Sequence, residues 1–83
     1  MANHTYEVRA QWDEEAKVWV AESDDVPGLV AEADDIAGLI EKLRVLIPEL
    51  LEANGVQSRA NGQAVDFRLL AAYEERISSA VPT

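Results

Sequence analysis

The sequence predicts an α+β fold in two layers, a three-stranded antiparallel meander and a fourth strand covered by one amphipathic helix, in the order βββαβ. Three observations predict it. Only the run from Ile36 to Asn54 is long and apolar enough to roof a core. The remaining segments alternate with the two-residue period of strands, and Pro27-Gly28, Asn54-Gly55 and Asn61-Gly62 punctuate the chain.

Within the long run, Ile36, Leu39, Ile40, Leu43, Leu46, Ile47, Leu50 and Leu51 recur at three- and four-residue steps, which a 3.6-residue period gathers into one stripe. Val45 falls opposite that stripe. Asp34 or Asp35 suits the start, where a carboxylate accepts from unpaired N–H groups and faces the positive end of the helix dipole. Gly55 suits a left-handed cap at the end. Two residues inside are awkward: Gly38 costs about 1 kcal/mol relative to alanine, and Pro48 deletes one backbone bond and should kink the last two turns.

From Thr5 to Trp12, Tyr6, Val8, Ala10 and Trp12 share one side and Thr5, Glu7, Arg9 and Gln11 the other, a half-buried strand. Asp13 to Ala16 is a polar loop, and Lys17 to Ser23 returns. With all four loop residues unpaired, Trp12 faces Lys17, Ala10 faces Trp19 and Val8 faces Ala21. Trp12, Trp19, Ala10 and Ala21 then lie under the helix, while Val18 and Val20 form an apolar strip on the open face. A one-residue slip would bury those valines and expose Trp19 instead. Pro27 presets φ and Gly28 takes positive φ, as a type II turn requires. Leu29 to Ala33 is a short third strand. Val56 to Gly62 reads as a loop. Val65, Phe67, Leu69, Ala71 and Tyr73 then alternate as a fourth strand, although Leu-Leu-Ala-Ala also suits a helix, and Ile77 to Thr83 reads as a frayed tail.

Eighty-three residues make one domain, its core from about residue 5 to 75, with 48% apolar and 28% charged residues. No apolar run approaches the ~20 residues that span a bilayer. No basic segment leads into an apolar one at the N-terminus and cysteine is absent, so a cytoplasmic protein without disulfides or thiolate metal sites is expected. Sixteen acidic residues against seven basic ones leave a net charge of −9. Such a field repels nucleic-acid backbones and draws in a basic partner, or serves only to keep a small domain in solution.

Little in the chain announces chemistry. Asp24, Asp25, Asp34 and Asp35 are the first candidates for a divalent cation, but their spacing matches no calcium loop. The lone histidine, His4, is terminal, which disfavours a triad with Ser23 or Ser58. No nucleophile elbow, phosphate-cradling loop or zinc-protease motif occurs, so no cofactor, no metal and no catalysis are expected.

Val18-Trp19-Val20-Ala21-Glu22-Ser23-Asp24-Asp25-Val26-Pro27-Gly28-Leu29, then Glu32-Ala33 and a helix ending Pro48-Glu49-Leu50-Leu51-Glu52-Ala53-Asn54-Gly55, resembles a small bacterial family of unknown function. That family is itself similar to the N-terminal domain of HicB-type antitoxins, whose Pro-Asp-Leu-Pro-Gly turn corresponds to Asp24-Asp25-Val26-Pro27-Gly28. The resemblance covers roughly residues 6 to 75. It implies a partial ribonuclease-H-like fold whose last strand runs parallel to the first. It also implies a noncatalytic domain that masks a small basic HicA-type ribonuclease toxin, while a separate C-terminal segment binds DNA. The sequence ends about where that segment would begin, and the ribonuclease H carboxylates do not carry over. The expected partner surface is Glu14, Glu15, Asp24 and Asp25 with Val18 and Val20; Pro27, Gly28, Asp34, Asp35 and Gly55 serve the turn and caps. The domain is also expected to form a homodimer. Two rivals stand beside this reading: a plain homodimeric scaffold paired through a strand edge or the valine strip, and a metal-dependent nuclease remnant using Asp24 and Asp25.

Overall fold

In the computed structural model, which describes residues 4–55 and 64–78, the elements follow in the order β1 (Thr5–Asp13), β2 (Val18–Glu22), β3 (Val30–Ala33), α1 (Ile36–Ala53) and β4 (Asp66–Ala72). The loop expected over 56–62 and the tail beyond residue 78 lie outside the described residues. The strands form one sheet ordered β3-β2-β1-β4. β2 is antiparallel to both β1 and β3, and β4 is parallel to β1, so the sheet as a whole is mixed rather than an antiparallel meander. A parallel neighbour requires a long crossover, and α1 carries the chain from one edge of the sheet to the other. Among the described residues no helix is long and apolar enough to cross a membrane.

The hairpin corrects the expected pairing. Ala10 lies opposite Ala21 and Trp12 opposite Trp19, a shift of two residues from the Ala10–Trp19 and Trp12–Lys17 pairs. The loop residues are Glu14 to Lys17 instead of Asp13 to Ala16. Asp13 causes the shift: its carbonyl accepts from Lys17 N at 2.7 Å and its carboxylate from the N–H groups of Glu15 and Ala16 at 3.1 and 3.2 Å. Lys17 adopts φ 61° to close the loop. Because side chains alternate with period two, a two-residue shift leaves every one on its expected face.

Ala31, Ala21, Ala10 and Ala71 form a row across all four strands, the first three buried under the helix and Ala71 exposed on β4. With nothing larger than methyl groups in that row, Leu39, Leu43, Ile47 and Leu51, one per helical turn, are fully buried against Val8, Ala10 and Ala21. Each such leucine or isoleucine contributes about 1.5–3 kcal/mol. Val26 and Leu29, at either end of the Pro27-Gly28 turn, join this core. Trp19 packs against it, and Trp12 meets Trp19 edge-on at 5.6 Å. Val45 is exposed, as its position opposite the stripe requires.

Caps fix the ends of α1. Asp35 is the N-cap, its carboxylate accepting from Gly38 N at 2.7 Å. Gly38 is explained by that bond: a Cβ there would lie 2.9 Å from Asp35 Oδ1. The helix continues through Pro48 to Ala53, and Gly55 follows at φ 67°. Leu29 N donates to Val26 O across the turn, with Gly28 at φ 85°, as a type II turn requires. Asn54 Nδ2 donates to Pro27 O at 3.2 Å and to Leu50 O at 2.8 Å, tying the helix end to the turn.

Candidate interaction surface

The helix occupies one face of the sheet, and among the described residues nothing covers the other, the bare face. Alternation sends Glu7, Arg9, Val18, Val20, Glu22 and Glu32 to the bare face, where the pairing arranges them in rows. Val20 lies between Gln11 and Glu32; Glu22 lies between Arg9 and Val30. Val18 and Val20 are half-buried by these neighbours, whereas Val30 is 71% exposed. The result is a shallow apolar strip bordered by carboxylates.

The expected partner residues lie along this strip rather than in one patch. Glu14 and Glu15 are at the hairpin tip. Asp24 and Asp25 are at the opposite end of β2, beside Glu7, about 20 Å away over six residues of β1. Three of the four acids are engaged within the domain, Asp24 through Arg9 at the surface. Glu14 accepts from Trp12 Nε1 at 2.8 Å and from Lys17 Nζ. The hydrogen bond from Lys17, then that from Trp12, then the Lys17 charge hold its carboxyl below the ordinary value. Asp25 Oδ2 accepts from Glu7 N at 2.8 Å. Beside it, Ser23 Oγ donates to Glu7 O and accepts from Asp25 N and Val26 N, so Ser23 and Asp25 together latch the turn onto β1.

Asp24 remains at the surface, its carboxylate 3.2 Å from Arg9 Nη2. Glu7, Arg9, Asp24 and Asp25 line an open cleft of about 180 Å³. Arg9 Nη1 stands 3.9 Å from Glu7, and Arg68 Nη1 4.0 Å from the same carboxylate. Glu7, Glu22 and Glu32 were absent from the expected surface. The signal was present, since Glu22 stands two residues from Val20 and shares its side.

Asp34 and Asp35 lie at the other end of β3 from Asp24 and Asp25, so the four aspartates do not converge on one ion. Among the described residues no group of three or more histidine, cysteine or acidic side chains could hold a metal.

The comparisons give this geometry a family. The model of the "Domain of unknown function (DUF1902)" matches residues 5–80. No curated protein matches the chain. A solved structure, the hypothetical protein TTHA1013 from the extremely thermophilic bacterium Thermus thermophilus, is similar at 50% identity and a TM-score of 0.74, covering 89% of this chain and all of that one. The family match spans every strand and the helix, and the chain therefore belongs to the DUF1902 family, a domain of unknown function.

Proposed function

We propose that this domain is a noncatalytic binding module whose bare sheet face takes a small basic protein. The observation that carries the reading is the uncovered strip itself: Val18, Val20 and Val30 offer apolar area, while Glu7, Glu22 and Glu32 surround it with negative charge. Exposed apolar area rimmed by charge is the usual composition of a docking site, and a surplus of one sign steers a partner of the other. The net charge of −9 works in the same direction and against direct nucleic-acid binding. An antitoxin-like role, masking a HicA-type ribonuclease toxin in the cytoplasm, agrees with the resemblance to HicB N-terminal domains. So does the element order, which suits a partial ribonuclease-H-like fold. Glu22 and Glu32 replace Glu14, Asp24 and Asp25 as the acids best placed to meet the partner, because the latter three are held by their own domain.

The experiment is co-purification of the tagged chain with the product of the adjacent gene, followed by titration of the purified pair. Glu22→Lys with Glu32→Lys should weaken binding at least about tenfold, and Glu14→Gln should change it less than about twofold. Equal effects at both places, or no complex with a basic neighbour, would remove this surface from consideration.

A further inference from the structure

The sheet ends in two unlike edges. β3 is four residues long, and Lys42 Nζ on α1 occupies its Glu32 carbonyl at 2.6 Å. β4 is seven residues long, and among the described residues no strand lies on its outer side. Its helix side is apolar, with Phe67 and Leu69 half-buried, while its bare side carries Asp66 and Arg68 followed by Leu70, which is 45% exposed. A seven-residue edge is long for a strand left without a partner, since natural edges are commonly shortened or covered.

We propose that a second copy of this chain pairs with the outer edge of β4, antiparallel, about a two-fold axis at Phe67. An axis perpendicular to the sheet keeps both helices on one side and must fall on a residue, so that opposed residues share a face. Charge selects which one. Centred on Phe67, Asp66 stands opposite Arg68 of the second copy and Arg68 opposite its Asp66. On the helix side Phe67 then meets Phe67, and Val65 meets Leu69. An axis at Asp66 or Arg68 opposes like charges, and one at Leu69 sets Arg68 against Leu70. Opposite charges directly across a ladder stabilise it, and like charges destabilise it.

Two further features fit this occupant. Arg68 is exposed, and among the described residues its one ion-pair partner is Glu7 at 4.0 Å, so its guanidinium can reach across the edge. A groove of about 120 Å³ between α1 and β4, lined by Leu43, Arg44, Ile47, Pro48, Val65 and Phe67, opens beside the axis where the second Phe67 would sit. Pairing at this edge leaves the bare face free. The inference therefore stands or falls independently of the partner proposed above.

Sedimentation equilibrium on the full chain should show a dimer. R68E and D66R should each raise its dissociation constant at least about tenfold, since each variant makes two like-charge pairs. The double variant D66R/R68E reverses both charges and should return to within about threefold of wild type. Thermal melts at concentrations where every variant is monomeric confirm that the fold is intact. A wild-type monomer at the highest attainable concentration overturns the proposal. So does a dimer indifferent to R68E, or a double variant no tighter than the singles.

Discussion

The two faces of the sheet are made of alternate residues of the same strands, and they obey opposite rules. On the helix side, side-chain size is constrained: the alanine row sets how closely α1 can approach, and Leu39, Leu43, Ile47 and Leu51 are fully buried above it. On the bare side charge is constrained and size is not. Val20 and Glu22 point to water, while Ala21 between them is completely buried. Neighbours along the chain thus serve stability and recognition separately, and a substitution can address one without the other.

Ala21 and Val20 give the widest separation. Ala21→Leu drives three extra carbons into the row beneath α1, and overpacking of this kind costs about 1–3 kcal/mol. Val20→Leu adds one methylene to a face that meets solvent and should move stability by less than about 0.5 kcal/mol. Urea unfolding of both variants checks the contrast. Equal losses would mean that the bare face is packed against something in the free protein.

How much of this was legible follows from the same distinction. The helix could be read residue by residue because caps and stripe are local: Asp35, Asn54 and Gly55 mark ends that need nothing from elsewhere in the chain. Face assignment could be read because it depends only on parity. The hairpin register could not. Pairing Ala10 with Trp19 or with Ala21 buries the same side chains, and the decision lay with Asp13 accepting three loop N–H groups and Lys17 taking positive φ. Val26 was hidden by its position in a turn, although Pro27-Gly28 folds it directly under the helix end. At the surface the surplus of acid was plain in the sequence. The engagement of Asp25 with Glu7 N, across eighteen positions, was not, because it depends on how the turn settles against β1.

Gly38 sharpens the contrast at intermediate size, because it lies where the helix meets its cap and packing competes with propensity. In an open helix Gly→Ala gains about 1 kcal/mol. Here the new methyl would press on Asp35 Oδ1, at 2.9 Å, and threaten a cap worth about the same. Gly38→Ala should therefore leave the thermal midpoint nearly unchanged in the wild-type background. With Asp35→Ala already in place the same substitution should stabilise by up to about 1 kcal/mol, and the difference between the two backgrounds measures the conflict. A full gain in the wild-type background would mean that the cap rearranges without loss.

The smallest effect belongs to Glu14, at the hairpin end where the two faces meet. Hydrogen bonds from Lys17 and Trp12 lower its pKa in the folded chain, so the unfolded chain binds the proton more readily. A group with a depressed folded pKa contributes stability above its unfolded pKa, and that contribution disappears as pH falls through the folded value. Wild type should accordingly lose slightly more stability than Glu14→Gln as pH drops through and below the ordinary carboxylate range, and the two curves should run parallel near neutrality. Because Glu14 is fully solvated, screening limits the difference, and raising the salt concentration should shrink it further. A difference that persists in high salt would show that the Trp12 hydrogen bond carries the effect in place of the Lys17 charge.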